Sequence, residues 1–210
     1  MLDSPIYRIT DEAAVRELVR AHGFVTVVSP TSRGLVASHV PVTVEESEEL
    51  VLTGHFGRPD DENHELGSGT ESMIVVQGTH GYVSASWYGS GPTASTWDFA
   101  VVHLHGVLEP VLDPQENLEV LMGLQRKYEE VLPEPMLMER SPEIAEALAR
   151  GARAFRMKVT RWQGRNKMSQ NRPAEVVERV VEQLDADPAV QPYANPELAA
   201  LVRRANPGVG

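Results

Sequence analysis

Cysteine is absent from the 210 residues. That excludes a disulfide framework, a thiolate metal site, a thiolate-ligated haem and a cysteine nucleophile, and makes a reducing cytoplasm the expected setting. Long apolar runs are missing too. No segment approaches the roughly 18 to 20 consecutive apolar residues that span a bilayer. The opening MLDSPIYRITDEAAV also lacks a basic stretch followed by an apolar one, so a soluble chain that is not exported is expected. Positive charge is scarce: 19 Lys and Arg against 30 Asp and Glu give a formal net charge of −11. That balance opposes direct DNA contact, because phosphate binding needs a concentrated positive surface. No GxSxG, P-loop, HExxH or glycine fingerprint after a strand occurs, so hydrolase, zincin and nucleotide-fold readings lack support.

What positive charge there is gathers in one place. Eight of the 19 basic residues, Arg150, Arg153, Arg156, Lys158, Arg161, Arg165, Lys167 and Arg172, fall in one stretch with no Asp or Glu between them. Two readings compete: a strip that meets an anion, or a solvated face paired with carboxylates on neighbouring elements.

The length suits one domain with a sizeable core. The spacing predicts a helix from Thr10 to about Ala21, then strands over 24–29, 35–44 and 50–56, the first two joined by the turn PTSRG. A long polar loop follows over 57–71. Residues 72–78 and 80–88 read as a strand pair, GSGPTAS (89–95) as a lid or rim, and 96–111 as one long strand. Asp113 with Pro114, and Ser141 with Pro142, announce helices. Residues 154–162 alternate as a strand with one apolar and one cationic face. Helices close the chain over 173–184 and 195–206. Six or seven antiparallel strands with flanking helices predict an α+β protein built on a small β-barrel. The expected organisation is a barrel domain over 1–185 and a helical tail over 186–210.

The chain is 6% aromatic, yet residues 78–106 hold three histidines, two tryptophans and two tyrosines. Trp97, Phe99, Val101 and His103 would share one strand face, and Asp98, Ala100, Val102 and Leu104 the other. Such rings read either as core or as the wall of a pocket for something flat. The nearby small polar residues favour a pocket, which needs a few placed donors among rings. His103 and His105, two apart on a strand, make only a weak metal pattern. Lys167, Ser169, Gln170 and Asn171, donors gathered just before a helix, suit a phosphate or a carboxylate.

Together ASHVPV (37–42), GHFGR (54–58), GTHGYVSASWY (78–88), STWDFAVVHLHG (95–106) and KMSQNRP (167–173) resemble the PaiB-like family of FMN-binding negative transcriptional regulators. The resemblance runs to about residue 185 and implies an antiparallel split β-barrel of the FMN-binding type, with homodimers that hold the cofactor at the subunit interface. Carried over residue by residue, His55 and Arg58 lie on the cofactor-binding strand and loop. Thr96 and Trp97 line the ring plane, and Lys167, Ser169, Gln170 and Asn171 close the site. Three departures stand out. The usual proline-threonine-tryptophan-asparagine run reads Ser95-Thr96-Trp97-Asp98, and Asn166 replaces the tryptophan between the two basic residues of the last motif. The acidic Pro59-Asp60-Asp61-Glu62 stands where asparagine-proline usually follows the arginine.

WYGSGPTASTWDF and KMSQNRPAEVVERV…PYANPELA are more similar to a branch of that family, the haem-dependent piperazate synthases. These join the two nitrogens of N5-hydroxyornithine into a cyclic hydrazine. This likeness implies an enzyme holding haem b, with FMN as the alternative cofactor and a small amino acid as substrate. His64 is the first candidate iron ligand, followed by His55 and His103. Arg58, His55 and Lys167 are the candidate catalytic residues, with Arg58 suited to the substrate's α-carboxylate.

Overall fold

The computed structural model describes residues 4–89 and 93–208. The expected lid over 89–95 falls in part on residues 90–92, outside the described residues. Among the described residues, eight strands and six α-helices follow in the order β1 (Arg8–Ile9), α1 (Glu12–Ala21), β2 (Phe24–Thr31), β3 (Gly34–Val44), β4 (Val51–Gly57), α2 (Asp60–Asn63), β5 (Glu71–Val83), β6 (Thr96–Pro110), α3 (Pro114–Glu129), α4 (Pro142–Arg150), β7 (Ala152–Lys158), β8 (Arg161–Lys167), α5 (Ala174–Leu184) and α6 (Pro196–Ala205). Neighbouring strands run β1-β8-β6-β5-β2-β3-β4-β7, and β6 also pairs with β7, so the sheet closes on itself. The expected α+β split barrel is what forms.

Local chemistry explains most of the boundaries. β2 and β3 pair from Phe24↔Pro41 to Thr31↔Gly34, and Gly34 takes the positive φ of 113° that the tight reversal requires. Asp113 Oδ1 accepts from the Glu116 amide at 2.8 Å and Asn195 Oδ1 from the Leu198 amide at 3.0 Å. Each satisfies an amide that the first helical turn leaves unpaired, with proline at the next position.

Three expectations need correction. Residues 72–78 and 80–88 are not two strands: β5 runs unbroken through Gly78, and the chain then turns into a short 3-10 helix over Ala85–Tyr88. Gly78 and Thr79 are both buried, so the strand absorbs a slip in its alternation where a turn was expected. Residues 154–162 likewise divide, β7 stopping at Lys158 and β8 starting at Arg161. The loop over 57–71 contains the single-turn helix α2.

The chain forms two compact units, and β5 and β6 each contribute to both. One comprises Glu12–Val76 and Val102–Trp162, the other Met1–Asp11, Gln77–Val101 and Gln163–Gly210. In the first, Leu52, Phe56, Ile74, Leu104, Phe155 and Met157 are fully buried; in the second, Val83, Met168, Val180, Leu184 and Leu198 are. The residues expected as a separate tail belong to the second unit. There the Asn195 amide donates to the Leu184 carbonyl at 2.7 Å, and Arg203 pairs with Asp185. Among the described residues, no helix is long and apolar enough to cross a membrane.

Candidate functional site

In the second unit the structure brings together four of the predicted site residues, Thr96, Trp97, Lys167 and Ser169. Their centre is Asp98, a carboxylate with 0% exposure. Its Oδ1 accepts from Lys167 Nζ at 3.0 Å and its Oδ2 from Ser169 Oγ at 2.6 Å. Lys167 gives its other protons to Thr96 Oγ1 at 2.9 Å and the Trp97 carbonyl at 2.6 Å, so all three are placed. Ser169 is held at φ 60°, a left-handed conformation uncommon for serine. Gln170 is also turned inward: its Nε2 donates to the Asn166 carbonyl and its Oε1 accepts from the Met168 amide, both at 2.6 Å. Asn171 is exposed.

Beside this set lies a group of rings. Trp97 is 54% exposed and Tyr193 52%. Tyr82 meets Trp97 edge-on at 6.0 Å and tilts against Tyr193 at 4.9 Å, while His80 lies 6.2 Å from Trp97. The buried face of β6 is that of Asp98, Ala100, Val102 and Leu104; the face carrying Trp97, Phe99 and His103 is the more open one. An exposed indole among other rings offers an apolar plane on which a flat group can stack.

His64 lies in the first unit, 3% exposed, its ring 4.5 Å from that of Phe56. A chain of hydroxyls fixes it. Ser38 Oγ donates to Asp60 Oδ2 at 2.9 Å, so its oxygen is left to accept from His64 Nε2–H at 3.0 Å. His64 Nδ1 then accepts from Ser29 Oγ at 2.8 Å, and Ser29 accepts from Ser72 at 2.9 Å. Burial pushes the His64 pKa down, with Asp60 partly opposing it, so the imidazole is neutral near pH 7.

The remaining candidates stand apart from these groups. His55, on β4, lines a mostly apolar cavity of about 560 Å³ with Pro41, Leu121, Leu124 and Tyr128. Its Nδ1 is buried with no hydrogen-bond partner, and burial lowers its pKa. Arg58 lies 3.8 Å from Asp61. It lines a second cavity, of about 600 Å³, whose charged residues are Arg58, Arg150, Arg153, Asp113 and Glu146. His103 and His105 are both kept neutral chiefly by burial, and His105 lies 3.8 Å from Glu71. No group of three or more metal-ligating side chains occurs among the described residues.

Residues 1–161 match the family model described as "Putative FMN-binding domain". The chain belongs to this family, the PaiB-like one. It is 29% identical over 180 residues to the protease synthase and sporulation protein PAI 2 of Bacillus subtilis, covering 85% of this chain and 86% of that protein. Among solved structures, an FAD and haem binding protein from Mycobacterium smegmatis superposes with a TM-score of 0.55 at 13% identity, covering 77% of this chain and 73% of that one. A flavocytochrome from Azotobacter vinelandii gives 0.55 at 12% identity, with coverages of 77% and 69%. At these identities the shared feature is the split-barrel fold.

The residues fit the family's cofactor unevenly. A flavin phosphate needs donors that are not already committed, and Lys167 and Ser169 are closed on Asp98, so this pair does not fit a phosphate as it stands. His64 is committed as well, Nδ1 to Ser29 and Nε2 to Ser38, so it could ligate iron only once Ser38 lets go of Nε2, a change open to it because serine hydroxyls either donate or accept. With Nδ1–H donating to Ser29, the Nε2 lone pair becomes available once Ser38 releases it, and a ring nitrogen oriented by a second partner is the usual arrangement of a metal-bound histidine. The sequence does not reveal Ser29 and Ser38 as the partners of His64, or Ser72 as the donor to Ser29. No local signal marks them, since they reach it from strands 26 to 43 residues away or from each other. The sequence marks Asp98 as a departure without revealing its role.

Proposed function

We propose that this chain holds haem b through His64 and cyclises N5-hydroxy-L-ornithine to L-piperazate with loss of water. The observation that carries the haem assignment is His64 itself: a buried, neutral imidazole with Nδ1 held by Ser29. The piperazate assignment draws support from the motifs similar to that branch. When bound, haem would supply a Lewis-acidic iron that polarises the substrate's N–O bond. The α-amine lone pair forms the N–N bond as the N–O bond breaks, and hydroxide leaves as water with the amine's proton. No external oxidant or reductant is required.

The chain's own groups bind and orient. Arg58 is suited to the α-carboxylate, and its cavity carries both signs of charge, as a zwitterionic amino acid needs. His55, whose pKa burial lowers, is a candidate base only for a substrate that also reaches the His55 cavity, which is distinct from that of Arg58. Lys167, its protons committed, positions Thr96 and Trp97. The active form is a homodimer, for which a mass of twice the 23.1 kDa chain in sedimentation is the expected result.

The purified protein should show a Soret band near roughly 400 nm that is lost in His64→Ala and kept in His55→Ala. Retention of the band in His64→Ala moves the ligand elsewhere, and haem-loaded protein that leaves N5-hydroxyornithine unconsumed overturns the synthase assignment. A second reading, an FMN-binding regulator of transcription, is favoured by the family match and by the PAI 2 likeness; absorption near roughly 450 nm would support it.

A further inference from the structure

We propose that Asp98 closes its own site to a phosphate monoester: its carboxylate takes up the Lys167 and Ser169 donors. The proposal stands apart from the haem reading, which concerns His64 in the other unit.

The geometry goes beyond a chance ion pair. Exposed ion pairs are loose and contribute little, whereas here the carboxylate is fully buried and each oxygen receives a separate donor, at 3.0 Å from Lys167 and 2.6 Å from Ser169. The Lys167 charge is cancelled where it sits, and its last two protons go to Thr96 and the Trp97 carbonyl. Ser169 keeps its hydroxyl on Asp98 in a left-handed backbone conformation, which persists only where the surroundings hold it. The exposed Trp97 ring is one residue away, so a phosphate carried by a flat group stacked there would meet a lysine whose charge and donors are already taken by Asp98, Thr96 and the Trp97 carbonyl. A dianion gains nothing from such a lysine and suffers the field of the carboxylate.

Asp98→Asn alters this with little change of shape. The amide oxygen can still accept from one donor, but the negative charge is gone, so Lys167 presents a net cation. The comparison of FMN with riboflavin isolates this effect, because the two share the ring and differ in the phosphate alone. Dissociation constants for both flavins, from fluorescence quenching with the full-length protein, are expected to agree within about twofold in the wild type. Asp98→Asn should favour FMN by at least about tenfold, the size of one charge-assisted contact. Asp98→Asn combined with Lys167→Met should return to parity, which locates the gain on Lys167.

Thermal melts establish that each variant is folded. A wild type that already prefers FMN tenfold, a folded Asp98→Asn that stays at parity, or one that binds neither flavin overturns the proposal. A wild type with no Soret band but with flavin parity sinks the haem reading and leaves the role of Asp98 standing.

Discussion

At the scale of single residues, the hydroxyl chain around His64 makes opposite predictions for its two ends. Ser38→Ala frees Nε2 and should leave haem retention equal to or tighter than wild type, whereas Ser29→Ala leaves Nδ1 unpaired in a buried site at a cost of about 1–3 kcal/mol. Haem content per chain and urea midpoints distinguish the two. The same burial sets a pH dependence. Burial holds His55 and His64 below the ordinary imidazole value of about 6.5, so as the pH falls below that value the unfolded chain takes up protons that the folded chain resists. Stability is therefore full above about pH 6.5 and declines as the pH falls through the lowered folded-state values. The urea midpoint should drop between about pH 7 and about pH 5, and His64→Gln should flatten part of that drop.

At the scale of elements, the helices were legible because their signals are local. Asp113-Pro114, Ser141-Pro142 and Asn195-Pro196 each mark a first turn, and the structure starts α3, α4 and α6 at those prolines. The valines of 173–184 form the buried stripe Val176, Val177, Val180 and Val181. Strand limits were less legible, since Gly78 can end a strand or pass through one, and only pairing with distant segments decides. Of the site, the grouping of Thr96, Trp97, Lys167 and Ser169 was legible through motif order. That Asp98 closes it was not, because a departure from a motif does not reveal which way its new charge points. The helical tail gives a direct test. Leu198 is fully buried on α6, and a Cβ added at Gly81 would come within 2.7 Å of it. Leu198→Ala should cost about 2–5 kcal/mol by chemical denaturation, and truncation after residue 185 should lower the melting temperature further than that single change.

At the scale of the whole chain, Arg156, Lys158, Arg161 and Lys167 of the basic stretch pair with carboxylates, while Arg153 donates to the Val111 carbonyl. Arg156 meets Glu45 and Glu116, Lys158 meets Glu49 at 2.5 Å, and Arg161 meets Glu71 at 2.7 Å. Lys158 and Arg161 pair in the open, where such contacts contribute about 0–1 kcal/mol. Replacing either with alanine should move the urea midpoint little, and molar salt should do the same.

The division of the chain between two units bears on its synthesis. One unit is complete once residue 162 has been made, whereas the other, begun with the opening residues, needs Gln163–Gly210 to close. Lys167 and Ser169 are thus made nearly seventy codons after Asp98, which waits from 98 to 167 without its partners. A chain truncated after residue 162 should hold its first unit in protease-resistant form while the Asp98 region remains open to cleavage.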